Sequence, residues 1–308
     1  MATPLQPAHN TPATSVSSVF NPRFTLGGLP PNLEIISKDG IHFHIHTHRL
    51  LAASTNAFGG LQLQSRGILT LPETAVSLNI AFHVMYGMSV LPHIPPLEST
   101  EAALDVLIKY GLPISQLAAT PTLPLFDLLR SYAPYYPIES YALVAHHRLE
   151  SLAVVISSHL LAYDVSRISD ELCVKMGPIY FKRLVNLQQS RIDALRNIVL
   201  RPPEMHPVTL ICNEENQREL TRAWAFANAE MVWSALPNIS VSALESTFTN
   251  AAEAVSCPEC RAMLRQRIQE VISQWSMVKV CAASLYLPAH PPTHYRATDD
   301  DMTSTNVH

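Results

Sequence analysis

Apolar residues recur along the chain at two different periods, and the change from one to the other divides it. Ile41, Phe43 and Ile45 alternate with His42, His44 and His46. A period of two places the apolar side chains on one face of a strand and the imidazoles on the other. Leu33, Ile35 and Ile36 form a second β-prone run, and Lys38-Asp39-Gly40 between the two runs supplies a tight turn, because glycine tolerates the positive φ of a hairpin loop. The breaker-free run Arg49-Leu50-Leu51-Ala52-Ala53 then predicts a short helix, and residues 68–71 a third strand. Thr74 is placed to cap a helix reaching Tyr86, with Leu78, Ala81, Phe82 and Met85 on one face and Gly87 as its stop. Pro92, Pro95 and Pro96 force a loop. Thr100 opens a further helix with Leu104, Leu107 and Ile108 on its stripe, closed by Gly111 and Pro113.

Beyond a linker or domain edge at residues 118–125, spacings of three and four take over. Ile138, Tyr141, Ala142 and Ala145 make one stripe, and Leu149, Leu152, Ile156 and Leu160 the next. Tyr180, Leu184, Leu187, Ile192, Leu195 and Val199 outline a longer helix ending at Pro202-Pro203. Leu220, Trp224, Ala227 and Met231 mark another, and Leu264, Ile268, Val271 and Trp275 a last one; no alternating strand occurs in this half. The expected class is α+β: a small α/β domain over 31–120 followed by an all-α domain over 121–285. Pro, Ser and Thr crowd residues 1–30, and prolines with Asp299-Asp300-Asp301 crowd 286–308. Such segments bury too little to offset their ordering entropy, so both read as disordered ends. Phe20 and Phe24 are the exceptions in the leader, apolar enough to fold back on the domain that follows.

Composition narrows the function more than the fold. With 47% hydrophobic and 15% charged residues in 308, the chain can bury sizeable cores. Its net charge of −4, without a long basic run, argues against nucleic acid as a partner. No run approaches the ~20 apolar residues that span a bilayer, and the N-terminus lacks the blocks of a signal peptide. Five cysteines suit a reducing compartment, so the expected location is intracellular, cytoplasmic or nuclear, with no membrane partner. Nine glycines form no phosphate-binding or nucleophile-elbow motif, and no cofactor is implied.

Two stretches carry candidate chemistry. His42, His44, His46 and His48 form a His-x-His pattern that can aim imidazoles at one metal, which supports an alternative reading as a metal-dependent hydrolase built on residues 42–48. The competing reading makes them the polar face of a hairpin. Cys257-Pro258-Glu259-Cys260 suits a turn presenting two thiolates to zinc, with Cys212 as a third ligand and His206 or Cys281 as the fourth. A redox pair and a reduced structural pair are the other readings of these cysteines. Because no second Cys-x-x-Cys knuckle follows, the expectation is a reduced pair without bound metal. His146 and His147 are adjacent on a helix and point about 100° apart, so one should be partly buried and the other exposed. Trp224, Trp233 and Trp275 read as core or groove anchors.

Phe43-x-x-His46, then Leu50-Leu51-Ala52-Ala53-Ser54 and Phe58, resembles the signature of the BTB (POZ) domain. Ile68-Leu69-Thr70-Leu71-Pro72-Glu73 is similar to that family's third strand, and Phe82-x-x-x-Tyr86-Gly87 to its Tyr-x-Gly helix. The likeness spans residues 31–120 and is nearest to the uncharacterised BTB-domain proteins of fungi; the helical half loosely resembles a BACK-type bundle. The resemblance implies a non-enzymatic protein–protein interaction module, a scaffold or adaptor, with protein partners and self-association as a homodimer through the BTB surface. Departures bear on those partners. Where many members carry an Asp and a basic residue in a charged pocket, this chain has Asn32 and Thr47, with His48 and Arg49 as the nearby substitutes. Where adaptors for cullin-type ubiquitin ligases carry a hydrophobic-x-Glu triplet, the loop at 61–65 has Gln, so a cullin partner draws no support from these residues.

Overall fold

A computed structural model describes residues 15–61 and 67–282. The turn at Lys38-Asp39-Gly40 closes as its composition predicts. The Ser37 amide donates to the Ile41 carbonyl at 3.0 Å, and Gly40 takes φ 77°, a conformation costly for a residue with a Cβ. Strands β1 (Leu33–Ile36) and β2 (His42–Ile45) pair antiparallel, Ile35 opposite Phe43. β3 (Ile68–Thr70) adds parallel to the other edge of β1, giving the order β2-β1-β3. Leu33, Ile35, Phe43 and Ile45 are all buried on one face, as the period of two requires.

Helices cover that face. α1 (Thr47–Ala53) follows β2 directly, and α2 (Ala75–Tyr86) starts where the Thr74 side chain accepts from the Ser77 amide. Gly87 ends it in the left-handed conformation, as expected. α3 (Leu97–Lys109) begins one turn earlier than the sequence suggested. Thr100 is therefore not its cap but a buried residue inside it, hydrogen-bonded to the Tyr132 hydroxyl at 2.7 Å; Pro96 takes the capping position. Ile108, expected on the apolar stripe of this helix, is instead 48% exposed. α4 (Ile114–Leu117), α5 (Pro124–Ser131), α6 (Pro137–His146) and α7 (Glu150–Ser157) follow. The chain continues through α8 (Asp170–Leu200), α9 (Glu214–Trp233), α10 (Val241–Ala252) and α11 (Pro258–Ser276). The class is mixed α+β, with every described strand near the N-terminus. No helix among the described residues is long and apolar enough to cross a membrane.

Two expectations about domain limits are corrected. Residues 15–30, assigned by composition to the leader, fold onto the hairpin. Val16 bridges to His42 in parallel, and the His44 amide donates to the Phe20 carbonyl at 2.8 Å. Phe20 is fully buried within reach of Phe24, Phe43, Phe82 and Tyr86, so two aromatic residues outweigh the polar composition around them. The remaining leader residues, 1–14, lie outside the described residues, as does the whole 286–308 tail. The edge at 118–125 separates nothing either: Ala118, Leu125 and Phe126 share one core with Phe43 and Tyr141. Pro124 opens α5 at a position where a missing N–H costs little.

The packing divides farther on. One core runs from Phe20 to Leu184, and a second from Leu195 to Trp275. Both lie along α8, whose helix is interrupted near its start at Gly177 (φ 75°, ψ 163°), just before Pro178.

Candidate metal centre and interaction surface

The histidines of β2 and the start of α1 occupy separate environments. His42 Nδ1 lies 2.5 Å from Glu34 Oε1, across the hairpin. His44 is half-buried and His48 exposed. His46 is buried with all its polar atoms engaged. Its Nε2 faces the Leu29 carbonyl at 3.0 Å, an acceptor only, so Nε2 carries the proton. Nδ1 then accepts from the Tyr86 hydroxyl at 2.8 Å, and that oxygen accepts the His46 amide at 3.0 Å. Burial pushes the Tyr86 phenol up to about 12, so the hydroxyl keeps the proton it donates. Among the described residues no group of three or more metal-ligating side chains forms around these histidines.

The residues on which the BTB resemblance rests close on one another. Phe43 meets Phe82 at 5.3 Å between ring centroids, and Leu50 is fully buried. The Ser54 hydroxyl donates to the Tyr110 carbonyl at 2.7 Å and accepts the Phe58 amide at 2.7 Å. Phe58 stacks on Tyr110 at 4.2 Å. Gly111 is required beside them, since a Cβ there would lie 2.4 Å from Asn56 Oδ1. At the uncharged pocket positions, the Thr47 amide donates to Asn32 Oδ1 at 2.9 Å. Arg49 donates to the Met85 carbonyl at 2.9 Å. In the loop compared with cullin adaptors, 62–66 lie outside the described residues.

The C-terminal core brings four potential ligands together. Cys257 is the N-cap of α11 with Pro258 at the first helical position, which places Cys260 one turn on, facing the same side. Cys212 ends the loop before α9, where its amide donates to Thr209 Oγ1 at 3.1 Å and Asn213 forms a capping box with Asn216. The proline-rich segment after α8 delivers His206, whose carbonyl accepts from Gln217 Nε2 at 2.7 Å. Cys212 Sγ lies 3.8 Å from Cys260 Sγ. His206 Nε2 is 3.2 Å from Cys260 Sγ and 3.6 Å from Cys257 Sγ. All four donor atoms fall within 4.8 Å of one another, and three of the four residues are buried. His206 Nδ1 faces the Pro207 carbonyl at 2.7 Å and Glu259 Oε2 at 3.1 Å. Nδ1 therefore holds the proton, and the Nε2 lone pair is turned to the thiols.

The protonation of the cluster follows from its surroundings. The Cys260 amide, bonding to Cys257 Sγ, draws that thiol down to about 7. Burial pushes Cys260 up to about 12 and raises Cys212 as well. The Pro207 carbonyl raises His206.

The three cysteines singled out in the sequence are thus brought together, and the sequence offered two candidates for the fourth donor. His206 is the one that arrives. Cys281 does not: Ala282 beside it donates to Ser157 Oγ at 3.0 Å, on the other core. The expectation of a metal-free pair rested on the absence of a second Cys-x-x-Cys knuckle, and His206 with Cys212 completes a set of four donors without one. Two buried arginines were not anticipated. Arg191 donates to the carbonyls of Pro237, Val278 and Lys279 at 2.5, 2.9 and 2.9 Å, and Arg267 to those of Arg201 and Ile198 at 3.1 and 2.6 Å. Their signal was in the spacing, since Arg191 continues the Leu184, Leu187, Leu195 stripe and Arg267 abuts Leu264 and Ile268. Of the expected tryptophan anchors, Trp224 and Trp275 are core, while Trp233 is 94% exposed. His147 is half-buried and His146 exposed, their rings edge to face at 4.9 Å.

Comparison of the chain with protein-family models, with curated proteins and with solved structures returned no match.

Proposed function

We propose that the chain is a non-enzymatic protein–protein interaction module, a scaffold or adaptor whose N-terminal unit is of the BTB type. The observation that carries this reading is the closure of the resemblance residues into one assembly. Phe43, His46, Leu50, Ser54 and Phe58 come from one stretch and Phe82 and Tyr86 from the separate helix α2, yet each is held by another of them or by the core they share. Residues matching a family pattern by chance have no reason to interlock. The strand order, with a hairpin and a parallel third strand beside β1, supports the same reading. So do large apolar side chains left in water on the helical part, Phe226 at 76% and Trp233 at 94% exposed, since aromatic side chains are enriched where proteins meet. The outer face of α1, with Leu51 43% exposed, is the surface we assign to self-association. The hydrolase alternative gains nothing from the separate environments of His42, His44, His46 and His48.

Sedimentation of the full chain over a concentration series tests the proposal. A reversible dimer that Leu51→Glu dissociates, with unchanged melting, is the expected result. A chain that stays monomeric throughout, and retains no stoichiometric protein after cross-linking in an extract, would overturn it.

A further inference from the structure

We propose that His206, Cys212, Cys257 and Cys260 bind one zinc ion, and that this ion staples the C-terminal core together. The donor set is three sulfurs and one imidazole nitrogen, the soft, four-ligand set of structural zinc sites, with no position left for water or substrate. The spacing is close to what the ion needs, with all four donor atoms inside 4.8 Å of one another. Tetrahedral zinc with bonds of about 2.3 Å to sulfur and 2.0 Å to nitrogen sets ligand atoms about 3.8 Å apart for S–S and about 3.5 Å apart for S–N. The corresponding separations are 3.8 Å for Cys212–Cys260, and 3.2 and 3.6 Å for His206 against Cys260 and Cys257.

The surroundings are those a zinc ligand needs. A metal-bound histidine donates its other ring N–H to a carbonyl or carboxylate, which fixes its tautomer. His206 has both partners, the Pro207 carbonyl and Glu259. Binding expels whatever protons the three thiols still carry, leaving Zn²⁺ with three thiolates and a net charge of −1. That charge lies at the N-termini of α9 and α11, where backbone amides and the helix dipole favour an anion. The cysteines are all free of disulfides, so no competing bond occupies the sulfurs.

The site has a structural task visible in the chain path. The segment from Arg201 to Asn213 contains no helix or strand, and exposes Met205, Val208, Leu210 and Ile211. Apolar burial therefore holds little of it. His206 and Cys212 bring this segment against Cys257 and Cys260 in the first turn of α11. One ion thus ties this loosely packed segment to a helix that is well buried in the second core.

Elemental analysis of full-length protein, purified without chelator from zinc-supplemented cells, should give about one zinc per chain. Reduced, metal-free protein titrated with Co²⁺ should develop the visible bands of a tetrahedral thiolate site, and added zinc should bleach them. Cys212→Ser and Cys257→Ser should each lose the zinc, whereas Cys281→Ser should keep it. Glu259→Gln should keep the ion but weaken its affinity by about 10- to 100-fold. The cobalt titration uses the unaltered chain, so the test stands even if the cysteine variants fail to fold. Zinc below about a tenth of an equivalent together with no tetrahedral cobalt spectrum would overturn the proposal. So would stoichiometric iron or copper in place of zinc, or loss of metal from a folded Cys281→Ser.

Discussion

Phe20→Ala is the sharpest test of how far the N-terminal core extends, because composition and structure disagree about the segment that carries it. The side chain is wholly buried, with ring centroids of Phe24, Phe82, His83 and Tyr86 between 5.0 and 5.7 Å away. Truncation removes about 150 Å² of buried apolar surface, worth about 4 kcal/mol at roughly 25 cal/mol per Å². A cavity would add to this, and undocking of the segment in place of leaving a hole would subtract from it. The expected loss is ~3–5 kcal/mol in urea denaturation followed by tyrosine fluorescence. Hydrogen exchange separates the two modes of failure. The amides of His42 and His44 donate to the carbonyls of Ser15 and Phe20, so undocking would expose both, while a simple cavity would leave them protected. Removing residues 15–32 should cost at least as much as the point substitution. A loss below about 1 kcal/mol, within the ordinary range for surface changes and their neighbours, would show that residues 15–30 lie on the core without belonging to it.

Other outcomes follow from the same contacts. Phe43→Ala should cost ~3–5 kcal/mol by the same melt, whereas His44→Ala should stay within about 0.5 kcal/mol, as expected of a half-exposed residue; a large effect at His44 would mean that the polar face has been misassigned. Arg191→Met removes three charge-assisted bonds of about 1.5–3 kcal/mol each but relieves several kcal/mol of cation desolvation, leaving a net loss of ~2–4 kcal/mol. Rapid exchange near residues 237 and 278 should accompany that loss, and a neutral result would remove Arg191 as a tie. Burial, helped by His146, lowers the pKa of His147, so the unfolded chain takes up its proton first as pH falls. That stability is complete above the unfolded value of about 6.5 and is lost as pH drops through the lower folded value. Melting temperature measured from pH 7.5 to 5 should therefore decline, and His147→Gln should flatten the decline.

Local elements were legible in the sequence because their causes are local. The hairpin turn, the Thr74 cap and the Gly87 stop each depend on a few adjacent residues. The stripes that became α6 to α9 and α11 depend on spacing alone. α10 was missed because Leu244 and Phe248 are its only buried residues, too few to make a stripe stand out. The partition into cores was misplaced because prolines read the same whether they open a helix or a linker. At the candidate metal centre the cysteines were visible from their spacing, but the choice between His206 and Cys281 depended on where two chain segments land. Sequence distance carries no information on that point.

Because α8 contributes to both cores, the rotational setting of one unit relative to the other is written into a count of residues. Leu184 belongs to the first core and Leu195 to the second. Eleven positions at about 100° each come to three turns and a small remainder, so both side chains leave the helix on nearly the same side. Inserting one residue between them would advance the second unit by about 1.5 Å and swing it through about 100°. The packing within each core lies to one side of the insertion, while the Ala282–Ser157 bond between the two units would be lost. Surfaces presented by the two units would nonetheless face in altered directions, so under the proposed scaffold reading insertions in this interval would separate binding from joint action.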